Sequence, residues 1–187
     1  KCANTVGSVL GRYHPHGDSS VYDAMVRMSQ WWKQNTILVD IQGNNGSMDG
    51  DSAAAYRYTE ARLSKLAAYL FDDIDKETIE DWRDNYADNE QYPSVLPTKG
   101  FYNIVNGSQG IGIGMACSIP QYNLKELNNA LIHLIDNPDC SFEEIYCAPD
   151  FATGAILYNE EDVKNPMRDG YGYACKLRSV VEFDAKE

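Results

Sequence analysis

The stretch KCANTVGSVLGRYHPHGDSSVYDAMVRMSQ, residues 1–30, determines how the beginning of the chain folds. Apolar residues recur there at helical spacing and predict a helix over residues 1–11: Ala3, Val6, Val9 and Leu10. The run RYHPHG, residues 12–17, ends this helix because proline and glycine interrupt regular structure. Asp18 or Ser19 is a suitable N-cap for a second helix, which we expect to continue to about Trp32.

A helix, a short turn and a helix form the outline of a helix-turn-helix, the motif that lays its second helix in the major groove of DNA. Many helical pairs share this outline without binding nucleic acid, so both interpretations stay open at this point. The second helix is expected to bury residues over more than one face: Val21, Tyr22, Met25, Val26 and Met28.

The next segment contains a predicted strand, a loop and a predicted helix. TILVDI, residues 36–41, has the composition of a strand. The loop QGNNGSMDGD, residues 42–51, has three glycines, which permit either a plain turn or a close approach of the backbone to a phosphate. A helix is predicted over residues 52–72, where leucine and alanine recur at helical spacing: Leu63, Leu66, Ala67 and Leu70.

The rest of the chain mixes helices and strands. We predict a short helix over residues 75–84 and a subdomain boundary in the Asn-, Pro- and Gly-rich residues 87–100. Leu124 to Ile135 is an amphipathic helix that stops before Pro138. Two later segments are expected to be strands joined by a polar loop, namely residues 154–158 and 174–183.

Charge is distributed unevenly along the chain. The net charge of the 187 residues is -12, which by itself argues against binding to nucleic acid. Residues 1–70, however, hold seven basic and six acidic side chains, whereas the remaining residues hold nine basic and twenty-two acidic ones. A nucleic-acid surface, if the chain has one, is therefore expected mainly within residues 1–70.

Composition excludes several classes of protein. With 43% hydrophobic residues the chain can bury a core, and it has no apolar run of about 20 residues that would predict a membrane span. Its five cysteines form no C-x-x-C pair and lack zinc-ligand spacing, so free thiols in a reducing cytosol are expected. The N-terminal residues form neither a signal peptide nor a Met start, which suggests a segment of a longer protein.

One short motif carries nucleophilic chemistry. Tyr58 follows Arg57, and a phenol beside a permanent cation can act as a nucleophile towards a phosphate. From the residue types alone, an adjacent arginine and tyrosine are more often structural, and Tyr56 would be an equally good candidate. Local chemistry therefore does not identify the nucleophile.

Four segments taken together resemble the breakage–reunion subunit of type IIA topoisomerases, the A subunits of bacterial DNA gyrase and topoisomerase IV and their phage relatives. They are RYHPHGDSSVYDAMVRMSQ, residues 12–30; QGNNGSMDGD, residues 42–51; AAAYRYTEARLSK, residues 53–65; and NGSQGIGIGMACSIPQYNL, residues 106–124. Their order and spacing also match that family. The resemblance weakens after about residue 160.

The resemblance implies an α+β fold. Residues 1–92 would form most of a winged-helix (helix-turn-helix) domain and residues 93–187 part of the adjoining tower domain, with further parts of both outside this chain. The implied function is that of an ATP-hydrolysing type II DNA topoisomerase, which passes one duplex through a transient double-strand break in another. The alternative is a non-catalytic winged-helix module that binds DNA without cleaving it.

The resemblance also assigns residues to roles. Tyr58 corresponds to the tyrosine that forms a 5′-phosphotyrosyl link, Arg57 to the arginine that stabilises the transition state, and His16 to a group close to the scissile phosphate. Contacts with DNA are implied for Arg12 and His14. A wedge between base pairs is implied for Ile111.

Ser19 and Asp23 correspond to the two positions that hold quinolone drugs through a water–metal bridge. Taken only as helix residues, they would cap the helix and compensate its dipole. Similarly, Ile111 could simply be a core residue in a strand. His14 and His16 could simply pack within the loop.

Cofactors and partners follow from the same resemblance. Mg²⁺ and ATP are both expected on the B subunit, with its Toprim and ATPase regions, and not on this chain, which has no G-x-x-x-x-G-K-[ST] loop. The acidic cluster Asp72-Asp73-Ile74-Asp75 is interpreted as a solvated helix end, and no metal site is predicted. Expected partners are double-stranded DNA, the B subunit with its ATPase, and a further copy of the A subunit in a homodimer, with no membrane. The expected location is the cytoplasm, in association with the nucleoid.

The chain departs from the family pattern at a few positions. The family usually has Met where Tyr56 stands, and Pro-Pro-His where this chain has Pro120-Gln121-Tyr122. Ala148 and Ala152 replace a Gly and a Pro. None of these positions is in the Arg57-Tyr58 pair, and together they suggest a divergent member, of bacterial, phage or mobile-element origin.

Overall fold

A computed structural model describes residues 1–183 of the chain. The chain forms two compact units, Lys1–Tyr102 and Asn103–Glu187. Each unit contains helices together with two-stranded antiparallel sheets. The α+β class predicted from the sequence is therefore confirmed. None of the helices within residues 1–183 is long and apolar enough to cross a membrane.

The first unit begins with two helices, α1 (Cys2–Arg12) and α2 (Asp18–Arg27), as predicted from residues 1–30, but the N-cap of α2 is Gly17 and not Asp18 or Ser19. Helix α2 is shorter than predicted, because it ends at Arg27 and does not continue to Trp32. Beyond its end, the Ser29 hydroxyl donates to the Val26 carbonyl at 2.6 Å, and the Gln30 side chain donates to the Asn45 carbonyl at 2.8 Å. The Val26 carbonyl, which would accept from the Gln30 amide in a longer helix, accepts from the Ser29 hydroxyl here. The Gln30 side chain connects this end of the helix to the glycine-rich loop.

Strands β1 (Val39–Gln42) and β2 (Glu60–Leu63) pair antiparallel, with Val39 opposite Leu63 and Gln42 opposite Glu60. The strand predicted over residues 36–41 is thus present, displaced by a few residues. Helix α3 (Lys65–Leu70) follows directly, and the Ser64 hydroxyl caps it by accepting from the Ala67 amide at 3.1 Å.

The helix predicted over residues 52–72 is wrong for most of its length. Residues 52–59 have no regular structure, residues 60–63 form β2, and only residues 65–70 are helical. Pairing with β1 satisfies the backbone of β2, and contacts with α1 hold the irregular segment. Tertiary hydrogen bonds therefore override the helix propensity of the alanine- and leucine-rich sequence.

The short helix predicted over residues 75–84 is also wrong. Strand β3 (Trp82–Asp84) pairs there with β4 (Gln91–Pro93). Asn85 closes the connection, because its amide donates to the Glu90 carbonyl at 2.8 Å and its side-chain oxygen accepts from the Asn89 amide at 3.1 Å. These pairings between residues on both sides of the turn favour a hairpin over a helix.

The core of the first unit lies where α1, α2, β1 and α3 pack together. Its buried residues are Cys2, Val6, Tyr22, Met25, Val26, Leu38, Val39, Ala67 and Leu70. Three of the five residues expected to be buried on the second helix belong to it, and the other two, Val21 and Met28, are half-buried against it. This core fixes the helix pair on the sheet.

The second unit carries a hairpin and several helices. After α4 (Tyr102–Val105), which crosses the division between the units, strands β5 (Ser108–Gly112) and β6 (Met115–Ile119) pair antiparallel. Helix α5 (Leu124–Asp136) confirms the amphipathic helix predicted from Leu124, and the Asn123 side chain caps its first turn. The remaining elements are α6 (Phe142–Ile145), β7 (Ile156–Leu157), α7 (Glu160–Arg168) and β8 (Leu177–Arg178).

The region after residue 150 differs from the prediction. The two late strands are only two residues long each, and the expected polar loop between them contains helix α7. This helix places Val163 in the core of the unit, whereas most of its other residues are polar and Pro166 lies inside it. Helix α7 was not predicted because it has only one buried apolar residue, so no helical periodicity is visible, and because a proline inside a helix is unusual.

We expect Tyr22→Phe to lower the free energy of unfolding by about 1–3 kcal/mol, because it removes a buried hydrogen-bond donor. The Tyr22 hydroxyl donates to the Ala54 carbonyl at 2.6 Å and lies 2.8 Å from the Thr59 hydroxyl. Urea denaturation followed by tryptophan fluorescence measures the change. The control is Tyr69→Phe, an exposed ring that faces the Lys99 ammonium, for which a change within about 0.5 kcal/mol is expected. Equal losses in the two variants would contradict the role of the Tyr22 hydroxyl.

Candidate active site

The segment from Ala54 to Thr59 has no regular secondary structure, yet its backbone is fixed at several points. The Cys2 and Ala3 amides, in the first turn of α1, donate to the Thr59 and Tyr56 carbonyls at 3.0 and 3.2 Å. The Ala54 amide donates to the Asn44 carbonyl at 3.0 Å, in the glycine-rich loop. Thr59 is fully buried. The backbone around Tyr58 is therefore held by two separate parts of the first unit.

Tyr58 itself extends away from this fixed backbone. Its side chain is 65% exposed, and the Arg57 guanidinium carbon lies 4.6 Å from the centre of its ring. An arginine over an aromatic face makes a cation–π contact and keeps its positive charge at all physiological pH values. The geometry thus combines an accessible phenol with a permanent cation that can also bind phosphate oxygens.

Tyr56 has a different environment, although the sequence alone did not separate it from Tyr58. Its hydroxyl donates to Asp18 Oδ2 at 2.8 Å, and its ring packs edge-on against Tyr22 with the ring centres 5.6 Å apart. The hydrogen bond to the Asp18 carboxylate raises the pKa of Tyr56 above the ordinary value for a phenol. The Tyr56 hydroxyl is thus bound to α2 within the protein, whereas the Tyr58 side chain extends outwards.

The two histidines of the turn between α1 and α2 lie side by side. The ring centres of His14 and His16 are 4.3 Å apart, and the His16 amide donates to the His14 carbonyl at 2.8 Å. Both side chains are exposed. Exposed imidazoles can donate hydrogen bonds to an incoming oxyanion.

Arg12 is engaged by a carboxylate from a distant part of the sequence. Its Nε donates to Glu90 Oε1 and Oε2 at 2.9 and 2.8 Å, and the Tyr13 hydroxyl donates to Glu90 Oε2 at 2.9 Å. These donors hold the pKa of Glu90 below its usual range. The Asn85 side chain also donates to the Arg12 carbonyl at 2.8 Å, which satisfies one of the free carbonyls at the end of α1.

Comparison with known proteins places these features in a family. The family model of the DNA gyrase/topoisomerase IV A subunit matches residues 1–187. The chain belongs to the DNA gyrase/topoisomerase IV A-subunit family. It is 51% identical over 98% of its length to the A subunit of DNA topoisomerase 4 from Streptococcus pyogenes serotype M1, of which it covers 23%.

Both branches of the family are similar to the chain. Streptococcus pneumoniae serotype 4 provides one relative from each branch, and the chain matches 22% of the length of each over 98% of its own. The identity is 50% with the DNA topoisomerase 4 relative and 48% with the DNA gyrase relative, both of them A subunits. These identities differ by too little to assign the chain to one branch. The chain spans less than a quarter of the length of these relatives.

Two residues of this gyrase/topoisomerase IV segment lie on one face of α2, Ser19 in its first turn and Asp23 one turn further along. Ser19 and Asp23 are four residues apart and both are exposed. The Ser19 amide donates to Oδ1 of the preceding residue, Asp18, at 2.9 Å. Both oxygens of the Asp18 carboxylate are therefore used, one by the helix terminus and one by Tyr56.

In the second unit, Ile111 lies on strand β5 opposite Ala116 and is 94% exposed. The plain interpretation as a core residue is therefore wrong, although the strand is present. Ile113, at the turn, and Met115 are also exposed, and glycines separate the three apolar residues. An unpacked apolar side chain on a narrow hairpin is free to enter another molecule.

The acidic cluster at residues 72–75 is partly neutralised by lysines. Lys99 forms ion pairs with Asp72 and Asp73, and Lys76 pairs with Asp73 at 2.8 Å. Asp73 and its neighbours lie in turns after α3 and not at the end of a long helix. Within residues 1–183, no group of three or more His, Cys, Asp or Glu side chains has the geometry of a metal site.

Two contacts within the candidate site were not predicted from the sequence. The Tyr56–Asp18 hydrogen bond joins residues 38 positions apart, and the Arg12–Glu90 pair joins residues 78 positions apart. Asp18 was interpreted only as a helix cap, and Glu90 has no local motif around it. The departure of Tyr56 from the usual family residue was the one signal in the sequence that pointed to the first contact.

Proposed function

We propose that this chain is the DNA-cleaving part of the A subunit of a type II topoisomerase and that Tyr58 is the residue that becomes linked to DNA. The observation that carries the proposal is the contrast between the two neighbouring tyrosines. Tyr58 is exposed and has the Arg57 guanidinium over its ring, whereas the Tyr56 hydroxyl is engaged by Asp18. The family membership of the chain supports the same assignment.

The proposed chemistry is a reversible transesterification. The Tyr58 oxygen loses its proton and forms a bond to a phosphorus atom of the DNA backbone, while the bond from phosphorus to the 3′ oxygen breaks and that oxygen takes up a proton. The product is a 5′-phosphotyrosyl ester and a free 3′ hydroxyl. Because the ester retains the energy of the broken bond, the reverse attack by the 3′ hydroxyl reseals the strand.

The neighbouring side chains have distinct roles in this proposal. Arg57 stabilises the negative charge that accumulates on the phosphate oxygens in the transition state. His16 donates a hydrogen bond near the scissile phosphate or carries a proton to the leaving oxygen. His14, beside it, contacts the DNA backbone, as does Arg12 once it leaves Glu90.

The two units contribute differently to DNA binding. A helix pair followed by the β1–β2 sheet supports a winged-helix interpretation of the first unit, with DNA along α2. In the second unit, proposed as part of the tower domain, Ile111 acts as the wedge between base pairs. Ser19 and Asp23, both exposed on α2, are the proposed contacts of quinolone drugs.

The complete activity requires partners. By resemblance to the family, Mg²⁺ and ATP bind to the B subunit, where ATP hydrolysis drives the passage of a second duplex. Two A subunits and two B subunits form the working assembly, which acts on double-stranded DNA at the nucleoid in the cytoplasm. When bound, Mg²⁺ supplies Lewis-acid assistance to the phosphate.

Trapping of the covalent intermediate tests the proposal. The full-length A subunit, its B subunit, Mg²⁺ and supercoiled plasmid are mixed, and the reaction is stopped with detergent. After nuclease digestion, mass spectrometry is expected to find a nucleotide on Tyr58. A nucleotide on Tyr56 would overturn the assignment of the nucleophile. DNA binding without any adduct would favour the alternative, a winged-helix module that binds DNA and does not cleave it.

We further expect Glu90→Gln in the full-length subunit to tighten DNA binding about two- to fivefold at low salt, because it releases Arg12 from an exposed ion pair. One additional phosphate contact would also steepen the plot of log K against log[salt] by about 0.9. Fluorescence anisotropy with a duplex at several salt concentrations measures both quantities. The control is Glu60→Gln, which removes a carboxylate paired with Lys1 at 2.8 Å. The same change in both variants would show that only net charge matters and would contradict a role for Arg12.

A further inference from the structure

We propose that Tyr56 is a positioning residue for DNA cleavage: its hydroxyl ties the Arg57-Tyr58 segment to the first turn of helix α2 through Asp18. This inference rests on the proposed function of Tyr58. It adds a second tyrosine to the reaction, one that never bonds to DNA and acts through its neighbour in the chain.

The first step of the argument concerns what holds the turn that carries Tyr58. The backbone of this segment is fixed at Tyr56 and Thr59 by amides of α1. The hydroxyl of Tyr22, in the middle of α2, also contacts the segment at the Ala54 carbonyl and the Thr59 hydroxyl. The hydrogen bond from the Tyr56 hydroxyl to Asp18, at 2.8 Å, adds a connection to the first turn of α2, one residue before Arg57 and two before Tyr58.

The second step concerns the geometry of the Tyr56 side chain. Its ring packs edge-on against the ring of Tyr22, which is itself buried and bonded to the Ala54 carbonyl. The Tyr56 ring is therefore confined, and its hydroxyl can reach Asp18 without the loss of much conformational entropy. A hydrogen bond made by a confined donor and a charged acceptor is among the stronger ones at a protein surface.

The third step concerns Asp18. Its other oxygen accepts from the Ser19 amide at 2.9 Å, so the carboxylate is oriented by the helix terminus as well as by the phenol. Asp18 lies two residues after His16, the group proposed to act on the scissile phosphate. The bond thus joins the segment with the nucleophile to the segment with the proposed proton carrier.

The consequence is that Tyr56 and Asp18 keep the two halves of the proposed site in register. Small errors in the placement of a nucleophile are costly, since a displacement of about 1 Å can lower a rate by about 100-fold. The expected effect of losing the bond is therefore on the rate of cleavage by DNA-bound enzyme and not on the affinity for DNA.

The test is single-turnover cleavage of a saturating duplex by the full-length A subunit in the presence of Mg²⁺ and the B subunit. Tyr56→Phe keeps the ring against Tyr22 and removes only the hydroxyl. We expect the rate of adduct formation to fall roughly tenfold while the Kd for DNA stays within about twofold. The matched control is Tyr86→Phe, which removes a hydroxyl that donates to the Gly11 carbonyl on α1, and which should leave both quantities within about twofold.

A double-mutant cycle with Asp18→Ala separates positioning from general destabilisation. If the two residues act through their bond, the double variant should cleave no more slowly than the slower single variant. Multiplicative losses, or cleavage by Tyr56→Phe at the wild-type rate, would overturn the proposal. If wild-type enzyme forms no adduct on Tyr58, the proposed function fails; if it does form one and Tyr56→Phe is unaffected, only the positioning role fails.

Discussion

A Tyr58→Phe variant is expected to form no covalent adduct with DNA, a loss of more than about 10³-fold relative to the unchanged protein. Phenylalanine lacks the oxygen that attacks the phosphorus, and the phenol two positions away, that of Tyr56, has its proton engaged by Asp18. Because Tyr58 is exposed, the change is expected to leave folding intact. DNA affinity should stay within about threefold, because the phenol is one contact among many.

Detergent-trapped adducts on radiolabelled plasmid measure this effect, with Mg²⁺ and the B subunit present. Tyr86→Phe is the matched control, since it also removes one hydroxyl from an exposed ring of the first unit. Adducts that persist in Tyr58→Phe at more than a few per cent would mean that another residue is the nucleophile. Loss of adducts in both variants would point to damage to the fold.

Arg57→Ala is expected to lower the rate of DNA cleavage by about 10²–10³-fold, the usual effect of removing one group that stabilises developing negative charge. The guanidinium lies over the Tyr58 ring, so its loss removes positive charge both from the nucleophile and from the phosphate. Arg57→Lys should recover only part of the rate, because an ammonium keeps the charge but cannot bind two phosphate oxygens in the same plane.

Single-turnover cleavage at saturating DNA measures the loss, and a binding titration separates it from weaker association. Arg62→Ala serves as the control, because Arg62 is an exposed arginine on β2 whose Nε lies 3.5 Å from Asp40. A similar loss of rate in both variants would contradict a specific role for Arg57. A change in Kd without a change in rate would make Arg57 a DNA-binding residue only.

The sequence predicted those helices whose formation depends on the spacing of apolar residues within the helix itself. Helices α1 and α5 were found because apolar residues recur at helical spacing and a break follows. The helix over residues 52–72 was wrong because strand β1 and the first turn of α1 supply hydrogen-bond partners from distant positions. Helix propensity has no information about such partners.

In the candidate site, too, local sequence identified the residues but not their distant partners. Motif resemblance picked out Tyr58, Arg57 and the histidines, which lie in short, recognisable stretches of sequence. The contacts that distinguish these residues physically came only from the fold. The Asp18 carboxylate engages Tyr56, and the Glu90 carboxylate engages Arg12, through pairings that span 38 and 78 positions. Nothing in the local chemistry of either acid indicates its partner.

The groups that hold the irregular segment before β2 are mostly backbone carbonyls, those of Ala54, Tyr56 and Thr59. Every amino acid offers a carbonyl, so the side chain of Tyr56 can change without releasing the chain, whereas the buried Thr59 hydroxyl, 2.8 Å from that of Tyr22, is tied to its position. The path of the backbone at position 56 is therefore insulated from substitution. A methionine at position 56, as in the family pattern, would keep the backbone bond to Ala3 and lose only the contact with Asp18, so this contact could arise beside Tyr58 by a single substitution.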